Sequence, residues 1–143
     1  MTEAQLPPRL AKARQALSAG SHRCVLCDAS GKLHSSGEHG IRPPLRWLRE
    51  NPTLLSGAAV ADRVIGLAAA QLFVYGGVAA LWAETVSSPA LAFLREQGVF
   101  VAYRDLVPNI LAKDGTALCP MERRALALQE PAKALECFST IIQ

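Results

Sequence analysis

Aromatic residues are scarce in this chain: two tryptophans, two tyrosines and four phenylalanines in 143 residues. Charge is thin as well, with 19% of residues charged and a net charge of +3. The basic residues fall as Arg42, Arg46 and Arg49 or as Arg123 and Arg124, without interleaved exposed aromatics on which bases could stack. That pattern speaks against a nucleic-acid platform. The first twenty residues, "MTEAQLPPRLAKARQALSAG", mix acidic and basic side chains and lack the apolar core of about seven or more residues that a secretory signal needs. A cytoplasmic protein is therefore expected, and its four cysteines, without framework spacing, are expected to be reduced thiols. No internal repeat and no low-complexity segment divides the chain, so residues 1–143 read as a single domain.

The most consequential lack is charge between Val64 and Ala83, twenty consecutive residues without one. A membrane helix needs about twenty residues in one continuous span. Here Gly76-Gly77 interrupts just past the middle, and Asp62-Arg63 and Glu84 close in on either side. The stretch reads instead as a helix, "VIGLAAAQLFVY", a glycine stop, and a strand, "VAALWAETV", all buried in a protein without a membrane span.

Around it the patterning is that of an α/β domain. Leu10–Ala19 carries apolar residues at helical spacing before Gly20 and suits a lid on one face. "HRCVLCDAS" and "KLHSSGEHG" read as a hairpin, and Pro43-Pro44 open a helix through "LRWLREN". "SGAAVADRV" is a short apolar strand, "SSPALAFLREQG" a helix capped by Ser87 or Ser88, and "VFVAYRDLV" a strand. From Ala58 to Val107 this is strand, helix, strand, helix, strand, which implies right-handed crossovers and a parallel sheet. The expected fold is a three-layer α-β-α arrangement: a mixed sheet of about five strands with helices on both faces. Residues 1–20 would supply the N-terminal helix, 21–107 the core, and 108–143 a C-terminal loop and helices starting at Pro120.

In such a sheet a ligand sits at the carboxyl ends of the strands, against helix N-termini whose free N–H groups favour anions. Two places qualify. In "VADRVIG", Asp62 and Arg63 stand where a buried strand hands over to a buried helix, and Gly66 would let a backbone or a ligand approach closely. Asp62 then either caps the helix, with Arg63 reaching solvent or a carboxylate, or the pair forms a ligand site with Arg63 as its cation. In "LCPME", Cys119 holds an N-cap-like position and Glu122 the third helical one. A thiol there has its thiolate stabilised, which makes Cys119 a candidate nucleophile, while Glu122 has an obvious role in capping its own helix. "CVLC" is a weaker signal: within a strand, Cys24 and Cys27 point to opposite faces and cannot share a metal. Glu38 beside His39 could be an acid/base pair or simply a solvated loop.

Taken together, "GIRP", "VADRVIGLAAAQL" and "CPME" resemble the DUF1893 family of small proteins of unknown function, whose fold is similar to cytidine deaminase. Members usually carry lysine at the place of Arg63 and Asn-Arg at the place of Ala112-Lys113. The resemblance implies a deaminase-like architecture but not its chemistry. Zinc deaminases carry His or Cys, then x-Glu, at one helix start and Pro-Cys-x-x-Cys at the next. The corresponding starts here read "IRPPL" and "DRVIG", so neither zinc nor any other cofactor is expected.

The expected function is binding of a small anionic or nucleotide-like ligand near Arg42, Asp62, Arg63, Gly66, Ser88 and Cys119. One alternative is a non-metal enzyme using Cys119 with Glu122 and Asp62 as proton-handling partners. The other is an inactive interaction or regulatory domain. Expected partners are the small molecule and, as a further option, other copies of the chain.

Overall fold

The computed structural model describes residues 6–110, 120–127 and 133–139. A five-stranded sheet with the order β2-β1-β3-β4-β5 forms its middle. β1 (Cys24–Cys27) and β2 (Leu33–Ser36) form the expected hairpin, closed by Asp28, whose carboxylate accepts hydrogen bonds from the amides of Ser30 and Lys32. β1 also runs antiparallel to β3 (Ala59–Ile65), and β3, β4 (Ala80–Ser87) and β5 (Phe100–Val107) are mutually parallel.

The two crossover helices, α3 (Leu67–Gly76) and α4 (Ser88–Glu96), pack on the same face of the sheet. Strand order there runs in one direction, and right-handed crossovers that never reverse must stack their helices on one side. α2 (Arg42–Glu50), α5 (Pro120–Ala127) and α6 (Ala134–Ser139) join them in one core. Among the described residues the opposite face is covered by α1 (Pro8–Ala19), through Leu10, Ala13 and Leu17 against Val25, Ala61 and Trp82. Burying its two leucines is worth about 2 kcal/mol each. Helices do flank the sheet on both faces, but the crossovers supply only one of them.

α3 explains the uncharged stretch. All of Leu67 to Phe73 are buried, so the helix is enclosed by the sheet on one side and by other helices around it. It ends at Gly77, which takes the left-handed conformation at φ 88° and returns its amide to the carbonyls of Phe73 and Val74. No helix among the described residues is long and apolar enough to cross a membrane.

Two expectations about local structure need correcting. α1 begins two residues earlier than Leu10. More consequentially, β3 continues through Ile65, so Asp62 and Arg63 lie within the strand and not at its handover to α3. The apolar run from Val64 favoured starting the helix there, but pairing of Val64 with Thr85 and Ile65 with Val86 keeps the chain extended for two more residues.

Candidate functional site

The start of α3 is capped from outside its own sequence. Its N-cap is Gly66, which has no side chain to offer, and Asp62 is too far back along the strand to serve. The amides of Leu67 and Ala68 instead donate to the two carboxylate oxygens of Glu122, at 2.6 and 2.8 Å. Glu122 thus caps α3; the expected capping of its own helix would involve Cys119, outside the described residues. Gly66 has an ordinary negative φ, and its need for glycine is steric: a Cβ there would overlap the Glu122 carboxylate. Gln71 strengthens the tie, donating from Nε2 to the Ala125 carbonyl at 2.9 Å. Burial pushes the Glu122 carboxyl up from its usual range, and the two amide donors pull it back. Beside it is a pocket of about 90 Å³ lined by Gly40, Ile41, Val64, Gly66 and Ile110 among others, well below the roughly 300 to 1,000 Å³ of ligand sites.

Asp62 is in register with Cys24, so the two side chains share the sheet face that packs on α2 and α3. Asp62 is 5% exposed. Its Oδ1 accepts the Arg63 amide at 2.8 Å, and its Oδ2 has no hydrogen-bond partner. Burial raises its carboxyl to about 7, against hydrogen bonds from the Arg63 amide and the Cys24 thiol and against the positive charge of Arg23. The same burial, with Asp62 beside it, pushes the Cys24 thiol well up, so Cys24 is a proton donor here and not a thiolate. Cys27 lies in the opposite core, so the two cysteines are divided by the sheet as the spacing requires.

Arg63 is heavily engaged. Its Nη1 pairs with Glu84 at 2.6 Å, its Nη2 donates to the Leu17 and His22 carbonyls at 2.9 and 3.3 Å, and its Nε reaches the His22 carbonyl at 3.4 Å. Held against the Leu17 carbonyl, the Arg63 guanidinium also meets the negative end of α1. Arg104 takes the other Glu84 oxygen at 3.3 Å, and these pairings hold the Glu84 carboxyl below its usual range.

Arg23 contrasts with it. One residue beyond the Cys24–Asp62 pair, the Arg63 amide donates to the Arg23 carbonyl at 3.2 Å, which sets the two arginines opposite each other on neighbouring strands. Like charges in that relation repel. Arg63 is compensated by Glu84, whereas the half-buried Arg23 guanidinium makes no hydrogen bond or ion pair among the described residues. Both line an open groove of about 500 Å³ with His22, Gly37, Val64, Glu84 and Thr85, at the carboxyl-terminal half of β3 and β4.

The anticipated ligand residues are therefore not gathered in one place. Arg63 lines the groove, and Gly66 and Glu122 border the small pocket, with Val64 shared between the two. Arg42 is exposed at the start of α2, where its charge acts on Glu38, itself held by Arg46. Ser88 is exposed and donates to the Val107 carbonyl at 3.3 Å, while Ser87 caps α4 by accepting the Ala90 amide. Cys119 and the Ala112-Lys113 pair lie outside the described residues. Among those described, no three His, Cys, Asp or Glu side chains are grouped to hold a metal ion.

Sequence comparison over residues 12–142 matches the family described as a domain of unknown function, DUF1893. The chain belongs to the DUF1893 family. A crystal structure of a DUF1893 family protein from Thermotoga maritima superposes with a TM-score of 0.84 at 23% identity, covering 99% of this chain and 96% of that one. That likeness establishes the shared fold. No curated protein matches the sequence.

Proposed function

We propose that this DUF1893 chain is a deaminase-like α/β domain without a zinc centre that binds a small anionic ligand in the groove lined by Arg23 and Arg63. The observation that carries the reading is the Arg23 guanidinium, which makes no hydrogen bond or ion pair among the described residues, opposite Arg63 and open to a groove of about 500 Å³. An anion there relieves a repulsion that the protein leaves standing. The groove falls within the size range of pockets for nucleotide-like molecules. Its lining carries two guanidinium groups against one carboxylate, and both oxygens of that carboxylate are already engaged.

The deaminase-like part of the reading draws support from the small pocket. The starts of α2 and α3, where a zinc deaminase carries its metal ligands, both border it, and Glu122 lines it. In a deaminase-like arrangement a protein carboxylate would then stand where deamination chemistry needs a metal and a substrate.

A thermal-shift series with sulfate, phosphate and nucleotides, at ionic strength matched with chloride, tests the anion reading. Binding should raise the melting temperature by several degrees once ligand exceeds its dissociation constant about a hundredfold. Arg23→Ala should fold normally and lose that rise. An equal rise in the variant, or none in the unaltered protein, overturns the reading.

A further inference from the structure

Asp62 precedes the groove-lining Arg63 on β3 and turns its side chain to the opposite face of the sheet, where its neighbours are core residues. Val60, two residues earlier on the same face, is an ordinary core residue, whereas Asp62 brings a carboxyl oxygen that finds no partner. Leaving such a group in the interior costs about 1 to 3 kcal/mol. The neighbours define what the carboxyl can sense. The Cys24 thiol faces it from β1, and the Arg23 guanidinium lies one residue before Cys24. On β4 its partner in register is Ala83, which cannot titrate. On the helices of that face, Arg42, Arg46, Arg49 and Glu50 of α2, Tyr75 of α3, Arg95 and Glu96 of α4, Arg124 of α5 and Glu136 of α6 are exposed, and Glu122 of α5 is tied to the α3 amides. Arg23 is thus the full charge that acts on Asp62, and it is also the group that an anion in the groove would neutralise.

Accepting the groove as an anion site, we propose that anion binding there is linked to protonation of Asp62: an anion on Arg23 cancels the charge that favours the carboxylate, and the buried carboxyl takes up a proton. By reciprocity, protonated Asp62 frees the whole Arg23 charge for the anion, so affinity is higher below the carboxyl's titration and lower above it. With that carboxyl at about 7, the change falls in the neutral range.

Sulfate is a suitable probe because its own charge is constant across that range. Its affinity for the unaltered protein should fall about fivefold or more as pH is raised from below to above neutrality at constant ionic strength. Asp62→Asn, which keeps the oxygen that accepts the Arg63 amide, should bind sulfate with no such dependence. His22→Asn, which removes the imidazole lining the groove, should retain it. Binding heats in two buffers of different ionisation enthalpy report the proton directly, and uptake near pH 7 by the unaltered protein and by His22→Asn is expected. Zero uptake, or a dependence that survives in Asp62→Asn or vanishes in His22→Asn, overturns the linkage while leaving the anion site standing. Failure of the unaltered protein to bind sulfate at any pH overturns the anion site itself.

Discussion

Glu122 and Asp62 are both buried acids, and both have carboxyls raised by burial, yet the fold treats them differently. Glu122 has both oxygens paired with amides at the positive end of α3, and a glycine is kept at residue 66 to admit it. Asp62 has one oxygen on its neighbour's amide, the other bare, and a thiol alongside. The first arrangement is a structural joint. The second leaves an acid poised near neutrality with one oxygen unpartnered, which is the condition under which a buried carboxyl is worth testing for function. A helix N-terminus that invites an anion can be satisfied from within the chain, and then the unsatisfied charges elsewhere are the better guide.

Asp62→Asn should separate the two acids most widely. Its folded value of about 7 lies above the ordinary 3.8, so the native state holds a proton that the unfolded chain has lost. Stability from this group is fully present below pH 3.8, declines as pH rises, and is gone above about 7. The decline amounts to roughly 4 kcal/mol. Urea unfolding from pH 4 to 8 should show the wild-type curve falling relative to the asparagine curve by that order, and parallel curves would show that Asp62 is as settled as Glu122.

Glu122→Ala should cost about 3 kcal/mol by leaving two amides of α3 unpaired. Gly66→Ala alone should cost about 2 kcal/mol, because its methyl group displaces the carboxylate. The double variant should be far less damaged than the sum, since the alanine at 66 has nothing left to displace. Additive losses in thermal unfolding would mean that Gly66 is needed for some other reason.

Much of this was readable in advance, and the misses share a cause. Strand geometry alone sets Cys24 and Cys27 on opposite faces, and the serines of "SSPALAFLREQG" mark the start of α4, which Ser87 caps. The end of β3 was misplaced because "VIGLAAAQL" has the composition of a helix start, and only pairing with β4 holds Val64 and Ile65 extended. For Glu122 the sequence displays only a local role, capping its own helix, whereas the α3 amides that donate to it lie 54 and 55 residues away. Arg23 was missed altogether: nothing in "SHRCVLC" marks it until β1 pairs with β3 and sets it opposite Arg63.

The arginines repeat the contrast between satisfied and unsatisfied groups at a smaller scale. Arg63→Ala removes a cation whose side chain is 28% exposed and abandons Glu84 and the Leu17 and His22 carbonyls, at a cost of about 2 kcal/mol. Arg23→Ala removes a like charge that faces Arg63 and gives up no bond among the described residues, so it should stabilise the ligand-free protein by about 0.5 kcal/mol. Added sodium chloride should shrink that gain, because screening already weakens the repulsion that the substitution removes. A loss in Arg23→Ala comparable to that in Arg63→Ala would mean that Arg23 is held as Arg63 is. The groove would then have no unsatisfied charge with which to attract an anion.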